Sequence, residues 1–128
     1  MTKEKEVDKL VWNEVEGMMQ NLAEKIRQSG IKFMSVIGIP RGGLVIAVRL
    51  SHLLNLDLIT NSEYITPHTL MVDDIADSGK TMKKYKNMFP MCATATLFYN
   101  PESCFEPDFW VGKQDYASWI TFPWEVKK

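Results

Sequence analysis

The sequence TLMVDDIADSGKTM, residues Thr69–Met82, decides both the predicted fold and the predicted site. A short apolar run leads into the adjacent acids Asp73 and Asp74, and a third acid, Asp77, precedes Ser-Gly-Lys-Thr at positions 78–81. Such a run before a glycine and a helical pattern is typical of a buried strand, a tight loop and a helix. Because the first N–H groups of a helix lack partners within it, the loop predicts a phosphate-binding site.

The paired acids restrict which ligand can accompany that phosphate. Neighbouring hydroxyl groups of a ribose donate hydrogen bonds that match Asp73 and Asp74, and the same carboxylates bind Mg²⁺ directly or through water. A ribose 5-phosphate therefore satisfies both halves of the motif. An acid cluster that caps the helix accounts for Asp77 but not for the rest of the motif. A P-loop requires glycine five positions before Gly79, where this chain has Asp74.

Strand and helix patterns alternate on both sides of this motif. Apolar runs predict strands at residues 32–39, 56–60, 69–73 and 93–99. Helical periodicity predicts helices at residues 13–30, 44–54 and 79–89. Short edge strands are expected at residues 109–111 and 119–122. In the first helix, Asn13 and Glu16 have the spacing of a capping box.

The same periodicity predicts which helical side chains face the core. In the second helix the inward positions are Leu44, Ala47, Val48, Ser51 and Leu54. In the third helix they are Met82, Tyr85, Met88 and Phe89.

This alternation predicts an α/β fold, an open and mostly parallel sheet with helices on both faces. Right-handed crossovers favour a core strand order of 2-1-3-4. That order places the first and third strands side by side. The loops that follow them, PRGG at residues 40–43 and the acidic loop at 73–81, then meet at the carboxyl edge of the sheet. Open α/β sheets bind ligands at this switch point.

Composition excludes several classes of function. The chain of 128 residues fits a single domain, residues 1–128, with 45% apolar and 24% charged residues. Its formal net charge of −1 gives no sign of nucleic acid or an acidic membrane as partner. No apolar stretch approaches the roughly 20 residues of a membrane span. Cys92 and Cys104 have no CxxC spacing, and the charged N-terminus lacks a signal peptide pattern, so we expect a cytoplasmic protein.

The motifs together resemble those of a known enzyme family. LMVDDIADSGKTM at residues 70–82 resembles the phosphoribosyl diphosphate (PRPP) signature of the type I phosphoribosyltransferases, and residues 36–56, with PRGG, resemble their diphosphate segment. ASWITFPWE at residues 117–125 and LVWNEVEGMMQNLAEKI at residues 10–26 are similar to bacterial xanthine-guanine phosphoribosyltransferases. The resemblance implies the type I fold with a minimal hood over the site. It also implies transfer of the 5-phosphoribosyl group from PRPP to guanine, xanthine or hypoxanthine, with release of diphosphate.

The resemblance implies a role for each matching position. The PRPP-binding residues would be Asp73, Asp74, Asp77, Ser78, Gly79, Lys80 and Thr81. The diphosphate-binding residues would be Arg41, Gly42 and Gly43, and the base-binding residues Asn100, Trp119 and Ile120. Asp77 would also be catalytic, accepting a proton from the purine. Asp73 and Asp74 would hold the Mg²⁺ cofactor, and a homodimer or homotetramer is expected. The family also often has a cis peptide at the position of Pro40–Arg41.

Two departures leave alternatives open. Active relatives carry a long, flexible loop between the second and third strands, whereas this chain has only NSEYITPH at residues 61–68. Purine-specific relatives carry lysine where this chain has Asn100, whose amide both donates and accepts hydrogen bonds. The chain could therefore use a different base, or act as a PRPP or nucleotide sensor without efficient catalysis.

Overall fold

The computed structural model describes residues 6–114 and 118–125, and of residues 6–8, 118 and 119 it describes the backbone alone. The strands are β1 (Glu6–Lys9), β2 (Ser35–Gly38), β3 (Asp57–Ile59), β4 (Thr69–Ala76), β5 (Ala93–Tyr99), β6 (Phe109–Lys113) and β7 (Ser118–Thr121). The helices are α1 (Trp12–Gln28), α2 (Gly42–Leu53) and α3 (Lys80–Met88). None of the described helices is long and apolar enough to cross a membrane.

Five parallel strands form the main sheet in the order β3-β2-β4-β5-β6. Counted along the chain, this is 2-1-3-4-5, so the predicted core order is confirmed and β6 extends the sheet by one strand. The main core, which includes Leu22 of α1 and Leu50 of α2, packs on Leu70 and Val72 of β4. Met82 of α3 belongs to a second cluster of buried side chains. Helices therefore cover both faces, as predicted.

A second, two-stranded sheet forms the minimal hood. β1 pairs with β7 in parallel, and the N–H of Leu10 donates to the carbonyl of Thr121 at 3.0 Å. Rings anchor this sheet to the core: Phe122 stacks on Trp124 with 4.8 Å between ring centroids and contacts Phe98 at 5.9 Å. β1 was not expected, because its short, charged sequence lacks a strand pattern. The edge strand expected near Trp119 exists as β7, but it pairs with β1 instead of the main sheet.

The predicted capping box of α1 is wrong. The helix begins at Trp12, one residue before Asn13, and the Glu14 carboxylate accepts a hydrogen bond from the Val11 N–H at 3.1 Å. Glu16 instead forms a salt bridge with Arg49 of α2. Both residues of the capping pattern therefore lie inside the helix, where the Glu16 side chain pairs with α2 instead of capping α1.

The predicted inward faces of α2 and α3 were partly wrong. Leu44 and Val48 are 42% and 46% exposed, whereas Ile46 and Leu50 are buried. The N-terminal half of α2 is apolar on every side, so its periodicity does not single out one face. Met88 in α3 is 56% exposed, because the buried contact of this helix lies at its start.

β4 is longer than predicted and carries two of the acids within the strand. It extends to Ala76 rather than ending at Asp73, and Ala76 pairs with Tyr99 of β5. Asp73 and Asp74 therefore lie on a paired segment of the sheet, which fixes their backbone more firmly than a loop would.

Candidate active site at the carboxyl edge of the sheet

The two predicted ligand loops meet beside β4. A Cβ atom on Gly42 would collide with the Asp74 carboxylate, and one on Gly43 would collide with the carbonyl of Val72. The N–H of Ile39 donates to that same carbonyl at 2.8 Å, which ties the end of β2 to β4. Glycines in the PRGG loop are thus required by close approach. The predicted cis peptide at Pro40–Arg41 is present.

Asp73 and Asp74 form a half-buried carboxyl pair. Burial, the charge of Asp74 and a hydrogen bond between the two groups raise the pKa of Asp73 to about 8. Burial also raises the pKa of Asp74. Each carboxylate additionally accepts the next N–H of β4 at 2.8 Å, from Asp74 and from Ile75. Because two partly buried like charges repel each other, the carboxyl pair favours a proton or a cation between its two groups.

The donor chemistry of this pair fits Mg²⁺. In the described part of the chain the salt bridges are Arg27–Glu24 and Arg49–Glu16, and neither involves Asp73 or Asp74. Carboxylate oxygens are the donors that Mg²⁺ prefers, usually one or two of them with water and phosphate oxygens. Among the described residues no group of three potential ligands converges on a point. Two carboxylates suit a magnesium ion that is shared with a phosphorylated substrate.

The loop before α3 is a preformed turn around a small cavity. Gly79 has φ of +82°, in the left-handed region that favours glycine, and a Cβ atom there would lie 2.8 Å from the Phe105 N. The Cys104 N–H donates to the Ser78 carbonyl at 3.0 Å, and the Lys80 N–H faces the Ser78 hydroxyl at 3.3 Å. The loop bounds a cavity of about 110 Å³, whose lining includes Asp73, Asp77, Ser78, Gly79 and Thr81.

A second cavity of about 120 Å³ adjoins the first, since Ile75 and Asp77 line both. Its other lining residues are Gln114, Ile120, Phe122 and Glu125, from the end of β6 and from the hood. Successive carbonyls of a strand point to opposite sides. The carbonyl of Thr121 points toward β1, since it accepts the N–H of Leu10, the residue after β1. The Ile120 carbonyl therefore points away from β1. The side chain of Trp119 lies outside the described residues.

Asn100 contacts the site through Asp77. Its Nδ2 donates to Asp77 Oδ1 at 3.2 Å, and its Oδ1 accepts the N–H of Glu102 at 2.9 Å. The second contact closes the turn expected from an Asn-Pro pair. Asn100 is not among the residues that line the second cavity.

The backbone of the diphosphate loop continues directly into α2. The Gly43 N–H donates to the Ile39 carbonyl at 2.9 Å, so this amide belongs to the first turn of α2. Arg41 is exposed beside it. Gly43 allows α2 to approach β4, and the assignment of Arg41, Gly42 and Gly43 to diphosphate stays a prediction.

Sequence reasoning assigned no role to Gln114 or Glu125. Gln114 is only 7% exposed although it is polar, and no motif marked it. Glu125 is exposed, but partial desolvation at the cavity raises its pKa and the charge of Asp74 raises it further, so Glu125 belongs to the same electrostatic site. Glu125 did lie in the quoted ASWITFPWE segment. Its place in that segment, together with Ile120, was the signal that could have identified it.

Comparisons with known proteins agree with this geometry. No family model matches the chain. The crystal structure of a purine phosphoribosyltransferase from Pyrococcus horikoshii is 30% identical, covers 95% of this chain and 96% of that one, and superposes with a TM-score of 0.78. A xanthine-guanine phosphoribosyltransferase from Cereibacter sphaeroides is 27% identical over 90% of this chain and 84% of its own. A Neisseria gonorrhoeae protein with bound ppGpp, 21% identical with a TM-score of 0.82 over 98% of this chain and 92% of that one, shows the fold alone.

Proposed function

The chain belongs to the purine phosphoribosyltransferase family, and we propose that it transfers the 5-phosphoribosyl group of PRPP to guanine, xanthine or hypoxanthine and releases diphosphate. The contact between the two ligand loops carries this proposal. Asp74 lies against Gly42 at the carboxyl edge of the sheet, and its neighbour Asp73 lines the first of two adjoining cavities, which we assign to a phosphate and a base. Parallel sheets bind ligands at this switch point.

We assign the 5-phosphate of PRPP to the loop at residues 77–81. The left-handed Gly79 turns the chain into α3, and the positive end of the helix dipole beside the cavity favours an anion. Ser78 and Thr81 add hydroxyl donors, and Lys80 contributes its N–H and positive charge. The ribose hydroxyls are assigned to Asp73 and Asp74, which line or adjoin the same cavity.

Asp73 and Asp74 would also hold Mg²⁺. When bound, the ion offsets the charge that develops on the departing diphosphate. Gly42 lies against the Asp74 carboxylate, and we assign to its N–H and to the Arg41 side chain the stabilisation of the same charge. The two loops thus surround the leaving group from both sides.

In the reaction, a ring nitrogen of the base bonds to C1 of the ribose as the bond from C1 to diphosphate breaks. The base then loses a ring proton, which we assign to the carboxylate of Asp77. The amide of Asn100 fixes that carboxylate by its 3.2 Å hydrogen bond. The Ile120 carbonyl accepts a hydrogen bond from the base edge, and Trp119 is proposed to lie on the face of the base.

We further propose a homodimer or homotetramer in a reducing cytoplasm. Leu44 and Val48 present an exposed apolar stripe on α2, next to the diphosphate loop. Leu58 and Tyr64 add exposed apolar area on β3 and on the short connection after it. A second copy on this side would shield the site in place of a long loop. Cys92 and Cys104 are both free thiols, which suits a reducing compartment.

Turnover with a panel of bases tests the proposed function. We expect PRPP and Mg²⁺ with guanine, hypoxanthine or xanthine to yield the matching nucleotide and diphosphate. Because only residues 60–68 join β3 to β4, water reaches the reaction centre more easily than under a long lid. We therefore expect release of ribose 5-phosphate to accompany nucleotide formation, at no less than about a tenth of its rate.

The same assay separates the remaining alternatives. PRPP binding without nucleotide formation from any base would support a sensor and contradict the enzyme. Transfer to a pyrimidine or an amine alone would contradict the purine assignment. Nucleotide formation without detectable hydrolysis would show that another segment or a second copy closes the site.

A further inference from the structure

Among the described residues that line the cavity beside Asp77, one is both polar and buried. Asp77 and Glu125 are exposed at its rim, whereas Gln114 is 7% exposed. Burying an amide costs free energy unless it makes hydrogen bonds, so an amide on a cavity wall is a specific feature of the site. Ile75, Ile120 and Phe122 supply the apolar remainder of the lining.

The backbone places Gln114 beside the position where the resemblance puts a lysine. The Gln114 N–H donates to the Tyr99 carbonyl at 2.9 Å, so Gln114 lies next to Asn100 across the ends of β5 and β6. Asn100 itself uses both ends of its amide, one for Asp77 and one for the Glu102 N–H. The Asn100 amide is therefore engaged in contacts within its own loop, whereas Gln114 belongs to the lining of the cavity.

We propose that Gln114, rather than Asn100, is the specificity-determining residue that contacts the edge of the base bearing the C6 substituent. This inference rests on the proposed function. A 6-oxopurine presents an N1–H donor and an O6 acceptor at that edge, whereas a 6-aminopurine presents the reverse pair. A carboxamide carries one donor group and one acceptor side by side, so by turning it pairs with either edge. Discrimination against adenine is weak in such a site. Asn100 is a positioning residue that acts through Asp77.

Matched substitutions of the two amides test this division of roles. Gln114→Met keeps the length and removes the hydrogen-bonding groups, and we expect kcat/KM to fall about tenfold to hundredfold with each purine while the Kd for PRPP stays unchanged. Gln114→Lys can only donate, so the ratio of kcat/KM for hypoxanthine over adenine should rise at least about tenfold. Asn100→Met should lower kcat for every base alike and leave that ratio unchanged. Melting curves confirm that each variant is folded.

Direct binding of product nucleotides keeps the test independent of turnover. We expect calorimetry to give Kd values for IMP and AMP within about tenfold of each other in the parent protein. In Gln114→Lys, IMP should bind more tightly than AMP by a larger factor. Unchanged ratios in both Gln114 variants, or a ratio that shifts in Asn100→Met instead, would overturn the inference. A parent protein that neither transfers to nor binds any purine would overturn the proposed function itself.

Discussion

Asp73→Asn should make this protein more stable and nearly inactive. In the folded state Asp73 keeps its proton up to a pH of about 8, whereas in the unfolded chain it loses that proton near its ordinary pKa of 3.8. The native state thus binds more protons between these values, and the free energy of unfolding falls as the pH rises from about 4 to 8. Asparagine resembles the protonated carboxyl but does not titrate, so the variant keeps the stability that the parent protein loses over this pH range. We expect Tm at pH 8.5 to rise by at least about 5 °C.

The same substitution removes a ribose and Mg²⁺ contact, so we expect kcat/KM for PRPP to fall by about a thousandfold. Adding Mg²⁺ should raise the Tm of the parent protein at pH 8.5 and leave Asp73→Asn almost unaffected. Asp108→Asn is the matched control, because Asp108 accepts hydrogen bonds from the N–H and hydroxyl of Thr94, away from the site. Asp108→Asn should lower the Tm and leave kcat/KM unchanged. A lower Tm for Asp73→Asn at pH 8.5 would contradict this account of the carboxyl pair.

Gly79→Ala should abolish PRPP binding by distorting the phosphate loop. Alanine at φ of +82° costs roughly 1–2 kcal/mol, and its Cβ would lie 2.8 Å from the Phe105 N and 3.1 Å from the Cys104 N. Because backbone atoms cannot move aside as a flexible side chain does, the loop itself must shift. Phosphate contacts depend on the directions of the N–H groups, so we expect the Kd for PRPP to rise by at least about a hundredfold.

Gly30→Ala is the matched control, because it introduces the strain of a positive φ without a steric collision. Gly30 has φ of +75° after α1, yet a Cβ atom there would meet nothing within 4 Å. This variant should lose roughly 1 kcal/mol of stability and bind PRPP normally. If both variants lowered PRPP affinity equally, the effect would be global, and the loop would not be the phosphate site.

The main sheet was predictable because its signals are local and mutually consistent. The apolar runs of β2, β4 and β5 each precede a turn residue, and the handedness of crossovers left few orders. The hood was harder to predict. β1 is short and charged, and it pairs with β7 more than a hundred residues along the chain. Such a pairing depends on tertiary packing, here the rings of Phe122 and Trp124, which no local pattern encodes.

The dependence on tertiary packing also limits how much of the site can be predicted from the sequence. The acids and the PRGG loop lie in continuous motifs, so the sequence could identify them and the topology could bring them together. Gln114 and Glu125 reach the cavity only because β6 and the hood end beside it. Asn100 was expected at the base from the resemblance, where relatives carry lysine, and in the structure its amide contacts Asp77 and the Glu102 N–H. Side-chain hydrogen bonds of this kind depend on geometry that spacing does not specify.

Titration of PRPP into the protein, by calorimetry with and without Mg²⁺, tests the central claim most directly. The parent protein should bind PRPP with a Kd in the micromolar range or below when Mg²⁺ is present, and at least about tenfold more weakly without it. The Asp73→Asn, Asp74→Asn double variant should show no measurable binding in either buffer, although it remains folded. Binding by the double variant with the affinity of the parent protein would contradict the assignment of this edge of the sheet as the active site.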